Sequence, residues 1–122
     1  MELKVERREE ALVVRVEAPR ITAAVSVQFK DRMRAVLANP ASRVTLDMSR
    51  VGFVDSSGLS AVLSIMKMLG PGQRLDLAGL RPDVEAVFRL TKLDRVLAIH
   101  GGSPPVGAEV APAGGGGRRQ AG

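Results

Sequence analysis

The chain has no cysteine, no tryptophan and no tyrosine, and only three phenylalanines and one histidine among its 122 residues. Without cysteine there are no disulfides and no thiolate metal sites, which suits a reducing compartment. Without Tyr or Trp there is no aromatic platform on which single-stranded nucleic acid can stack. The net charge of +5 does not make up for that. The basic residues are interleaved with acids, as in Arg7-Arg8-Glu9-Glu10 and Asp31-Arg32, which describes a solvated surface rather than a nucleic-acid footprint. Long hydrophobic runs are also missing. No apolar stretch is long enough to span a bilayer, and Met-Glu-Leu-Lys leads into no signal-peptide core. The expectation is a soluble, cytoplasmic protein with no direct membrane insertion and no nucleic-acid partner.

What is present is an aliphatic core. Residues of the apolar class make up 45% of the chain, as in a folded globular domain. Residues 2–7 alternate as a short strand with Leu3 and Val5 on one face. Glu9-Glu10 makes a hairpin-like turn into the better-buried strand Leu12–Val16. Pro19 breaks that strand, Thr22 offers an N-cap, and Val25, Phe29, Met33 and Val36-Leu37 mark the inner stripe of a helix over about 22–38. Val44–Met48 reads as a strand, and Val51–Val54 runs into Asp55.

A second helix starts at Ser56 or Ser57 and runs to about Leu69, where Gly70-Pro71-Gly72 stops it. Its expected core stripe is Leu59, Val62-Leu63, Met66 and Leu69. Ala61, Ile65 and Met68 are then left for a different face, either buried or offered for docking. Leu75–Ala78 is a strand, Pro82-Asp83 opens a third helix with Val84, Val87 and Phe88 inward, and Val96–Ile99 is the last strand. Half of residues 101–122 are Gly or Pro, so they are expected to form a flexible tail behind a domain spanning residues 1–100. Strands alternating with helices predict an α/β fold with a mixed sheet of four to five strands and three or more helices packed on it.

One turn carries chemistry. At Asp55-Ser56-Ser57-Gly58 a strand ends and a helix begins, and the free N–H groups there welcome an anion. A phosphoserine at this point would bring roughly −1.5 to −2 charges to the positive end of the helix dipole. Gly58, lacking a side chain, is expected to leave room for a partner to reach the hydroxyl. Capping alone also accounts for Asp and Ser at a helix start, and physics by itself ranks it first. A nucleophilic enzyme fits less well. There is no Gly-x-Ser-x-Gly, and the single histidine, His100, stands where the tail begins, as a surface residue at a strand end. No cofactor, metal or catalytic residue is expected.

The run Val51-Gly52-Phe53-Val54-Asp55-Ser56-Ser57-Gly58-Leu59-Ser60 resembles the hallmark of STAS domains. In particular it is similar to that of bacterial anti-sigma factor antagonists: Phe, an apolar residue, Asp, Ser, Ser or Thr, Gly, Leu. The resemblance extends over residues 1–100, and Thr91-Lys92-Leu93-Asp94 matches a helix end of that family. It implies a partner-switching regulator, not an enzyme. An anti-sigma factor with serine kinase activity is bound and its sigma factor freed, phosphorylation of Ser57 weakens the complex, and a serine phosphatase reverses it. Asp55 then sits beside the acceptor, while Ser56, Gly58 and Leu59 shape the contact surface.

Two positions depart from the pattern. Thr22, a further partner-contact position, stands where many antagonists carry an Asp near the acceptor, and Ser60 stands where Gly or another small residue is common; both changes bear on which partner is bound. The resemblance also admits a STAS subunit of an ABC-type lipid transport complex that docks on its ATPase. A stressosome-like scaffold would normally carry an added N-terminal domain.

Overall fold

The computed structural model describes residues 1–39 and 41–100. The strands are β1 (Leu3–Arg8), β2 (Ala11–Val16), β3 (Arg20–Ile21), β4 (Arg43–Asp47), β5 (Phe53–Val54), β6 (Arg74–Ala78) and β7 (Ala98–His100). The helices are α1 (Ala23–Val36), α2 (Ser56–Lys67) and α3 (Pro82–Leu90), with a 3₁₀ turn at Leu93–Arg95. The main sheet runs β1-β2-β4-β6-β7, with β1 antiparallel to β2 and the remaining neighbours parallel. This is the α/β, mixed-sheet architecture the alternation of patterns predicts. The call on residues 101–122 lies outside the described residues.

Alternation along each strand sorts the core. Leu12, Val14 and Val16 of β2, Val44 and Leu46 of β4, and Leu75 and Leu77 of β6 share one face. They form a single cluster with Phe29 and Met33 of α1, Ala61, Val62 and Ile65 of α2, and Val84 and Phe88 of α3. All three helices therefore pack on that face. The other face mixes polar and apolar residues, with Val13 and Ala78 buried on it. Thr45, Asp47 and Asp76 are buried there, and the Asp76 carboxylate accepts from Arg74 at 3.1 and 3.3 Å and lies 3.6 Å from Arg43. His100 is exposed, and its ring nitrogen Nε2 lies 3.1 Å from the same carboxylate. Its side chain thus serves a structural ion cluster, far along the chain from the serine turn.

At the end of β2, Arg15 donates to Glu17 at 2.6 Å, with Arg50 3.7 Å away. The Arg15 hydrogen bond holds the Glu17 carboxyl below its ordinary value, burial pulling the other way, and the same bond raises the Arg15 guanidinium. A carboxyl lowered by folding contributes stability above its unfolded value of about 4.3 and loses it as pH falls through the folded value. Glu17→Gln should therefore flatten the acid side of a stability-versus-pH curve, read by thermal unfolding between roughly pH 3 and 6. An unchanged acid slope would remove Glu17 from that role.

Three local expectations need correction. The last strand begins at Ala98, not Val96, because Lys92 takes a left-handed conformation (φ 66°) and a 3₁₀ turn follows, which exposes Val96 and buries Leu97. The inner face of α2 is Gly58, Ala61, Val62 and Ile65, while Leu59, Leu63 and Met66 are only half-buried. Finally, β3 and β5 pair in parallel as a separate two-stranded ribbon.

Candidate functional site at the start of two helices

The β3–β5 ribbon sets the site. Its register pairs Arg20 with Phe53 and Ile21 with Val54, so the residues that follow, Thr22 and Asp55, begin their helices side by side. Gly52 donates to the Pro19 carbonyl at 2.8 Å and Asp55 to the Ile21 carbonyl at 3.2 Å, which holds the two segments in step. The Arg20 guanidinium lies over the Phe53 ring, 5.4 Å from its centroid.

Thr22 and Asp55 are both N-caps with extended backbones. Thr22 Oγ1 accepts from the Ala24 N–H at 3.3 Å. Asp55 does more: Oδ1 accepts from the Gly58 N–H at 2.9 Å, and Oδ2 accepts from the Ala23 N–H of α1 at 3.4 Å. One carboxylate thus closes two helix starts, each of which presents donors and positive dipole charge. A hydroxyl at position 22 caps α1 as a carboxylate would, and it leaves Asp55 as the only acid at the junction among the described residues.

The serines stand on the first turn of α2. Ser56 is exposed and Ser57 half-buried. The Ser57 hydroxyl makes no hydrogen bond to any described residue. Since Asp55 already satisfies the Gly58 N–H, the first N–H groups of α2, at Ser56 and Ser57, are left for solvent or for an incoming anion.

Gly58 faces the other way. It is buried, and a Cβ placed on it would lie 2.2 Å from the Ile21 carbonyl oxygen and 2.7 Å from Val54 Cγ1. The space expected for a partner is filled by the protein's own ribbon, so Gly58 fixes how closely α2 approaches β3. Leu59 is likewise half-buried and packed against the core. Two residues that sequence reasoning passed over flank the turn instead: Phe53, 47% exposed, and the exposed Arg20. Strands of two residues have no period to betray them.

Clefts of roughly 400–520 Å³ open elsewhere, one beneath Met66, Leu69 and Val96 and two around Glu9, Glu10 and Gly72, and none of these is lined by a residue of the 55–58 turn. No helix among the described residues is long and apolar enough to cross a membrane.

A sequence model described as the STAS domain matches residues 2–110. Among solved structures, an anti-sigma factor antagonist from Mycobacterium paratuberculosis superposes with a TM-score of 0.74 at 23% identity, over 81% of this chain and 84% of that one. The Bacillus cell fate determinant SpoIIAA in its phosphorylated form gives 0.62 at 20% identity, over 84% and 92%. A sulfate transporter family protein from Wolinella succinogenes gives 0.61 at 19% identity, over 73% and 72%. At such identities these likenesses establish a shared fold.

Proposed function

The chain belongs to the STAS domain family, and on that premise we propose that it is an anti-sigma factor antagonist switched by phosphorylation of Ser57. In its unmodified form it binds an anti-sigma factor that is also a serine kinase, and so frees a sigma factor in the cytoplasm. The kinase moves the γ-phosphoryl group of ATP onto Ser57 Oγ. ADP leaves, and the hydroxyl proton passes to a base of the kinase. A serine phosphatase hydrolyses the ester and restores the binding form. The chemistry is the partners'; this chain contributes the acceptor and the surface around it.

The observation that carries this reading is the Ser57 hydroxyl itself. It stands on an open helix start and makes no hydrogen bond to any described residue. A dianion there gains from the α2 dipole and its unused N–H groups, so the fold survives modification. In a docked interface the same dianion must be desolvated beside the partner's own charges, which weakens the complex. Thr22, Asp55, Ser56, Arg20 and Phe53 surround the acceptor and would form the contact, with Gly58 and Leu59 supporting it from below.

A second reading is a STAS subunit docked on the ATPase of a membrane transport assembly; the fold shared with a sulfate transporter family protein from Wolinella succinogenes keeps a transport role in view. Affinity capture from the source cells separates the two. The antagonist reading predicts recovery of a serine-kinase anti-sigma factor that is lost in ATP. Recovery of a transport ATPase, unaffected by ATP, would overturn it.

A further inference from the structure

We propose that the free edge of β1 pairs with the same edge of a second copy, antiparallel about a two-fold axis at Val5, to make one continuous sheet across a homodimer. The argument begins with hydrogen-bond parity. In an antiparallel ladder, residues alternate between those that bond the neighbouring strand and those that point N–H and C=O away. The register pairs Arg8 with Ala11 across the two-residue turn Glu9-Glu10, where Glu9 has a φ of 54°. At the far end the Glu17 N–H donates to the Glu2 carbonyl at 3.0 Å. The even residues of β1 therefore face β2. Leu3, Val5 and Arg7 turn their backbone donors and acceptors outward, to an edge that no described strand covers.

Exposed edges are commonly blunted with charge, and this one carries Glu2, Lys4, Glu6, Arg7 and Arg8. The order of those charges matters. With the axis on Val5, Lys4 lies opposite the second copy's Glu6, Glu2 opposite its Arg8, and Val5 opposite Val5. The outward-facing residues Leu3, Val5 and Arg7 then meet only outward-facing residues. Val5 is 48% exposed in the single chain, one of few large apolar side chains left so. Shifting the axis to Glu6 sets Lys4 against Arg8. Shifting it to Lys4 sets Lys4 against itself and Glu2 against Glu6. Of these three axes, the one on Val5 alone sets no like charges against each other, and like charges directly opposite are unfavourable. A strand blunted merely against association has no need of self-complementary charges. None of the residues around Ser57 lies on β1, so the pairing is separate from the proposed switch.

The test is sedimentation equilibrium of the full chain from micromolar to millimolar concentration. Wild type should reach a dimer mass. Val5→Pro removes an N–H that points away from β2, so it should leave the hairpin folded and abolish the dimer. Lys4→Glu should weaken association roughly tenfold, and Lys4→Glu with Glu6→Lys should restore it to within about threefold of wild type. A wild type monomeric throughout, a dimer that survives Val5→Pro, or a double variant no better than the single would each overturn the proposal.

Discussion

Gly58→Ala is expected to lower the melting temperature by roughly 10–20 °C, the largest stability effect of any single methyl group added near the site. The added carbon would sit 2.2 Å from a backbone oxygen, Ile21 O, and 2.7 Å from Val54 Cγ1. Neither is the end of a flexible side chain that can swing aside. To make room, α2 must lift from the β3–β5 ribbon. That would stretch the Asp55 hydrogen bonds to Gly58 and Ala23, which tie the two helix starts together. Overpacking of this kind costs about 1–3 kcal/mol, and more where backbone must move. The upper end is expected here because the whole first turn of α2 is involved. Thermal unfolding by circular dichroism reads the effect; a shift below a few degrees would show that the ribbon yields easily. Since the displaced turn bears Ser57, the variant should also be a poor phosphate acceptor below its melting temperature.

Ser57→Asp should leave stability within about 0.5 kcal/mol of wild type and weaken binding to the anti-sigma factor by roughly a hundredfold. The two halves of this prediction have different causes. Within the chain, position 57 is the second residue of α2, where a negative charge faces free N–H groups, while the Asp55 carboxylate is already engaged by amides of both helices. Across an interface the same charge is stripped of water and set against a kinase's acidic residues. Ser57→Ala makes the control, since it removes the acceptor without adding charge and should keep most of the affinity. Calorimetric titration of the three forms distinguishes these outcomes. Equal affinity for Ser57→Asp and wild type would move the contact away from this turn.

Much of this arrangement was legible in the residues, and the exceptions have physical reasons. Strands β2, β4 and β6 announce themselves through Leu12–Val16, Val44–Met48 and Leu75–Ala78, because one aliphatic face suffices for a sheet covered by helices on that side. Thr22 as the cap of α1 and Asp55 before α2 follow from the preference of such residues for helix starts. The inner face of α2 was misjudged because the helix is apolar on several sides, and hydropathy alone then chooses the bulkiest stripe. Closeness to the ribbon selects the smallest residues instead, and Gly58 and Ala61 turn inward while Leu59, Leu63 and Met66 are left at the margin. The glycine of the motif, expected to open the surface to a partner, closes the interior. Pairing of β3 with β5 was invisible for a different reason: each strand has two residues, and their alignment depends on contacts between segments more than thirty positions apart. That alignment is what brings Thr22 and Asp55 together.

The central claim is that Ser57 is the switched residue, and phosphate mapping tests it most directly. The full chain is incubated with its cognate anti-sigma kinase and ATP, and the modified residue is located by mass spectrometry beside Ser57→Ala. Incorporation at Ser57 alone, absent from Ser57→Ala, is the predicted result. Phosphate on Ser56, Thr22 or any other residue, or incorporation that persists in Ser57→Ala, would contradict it.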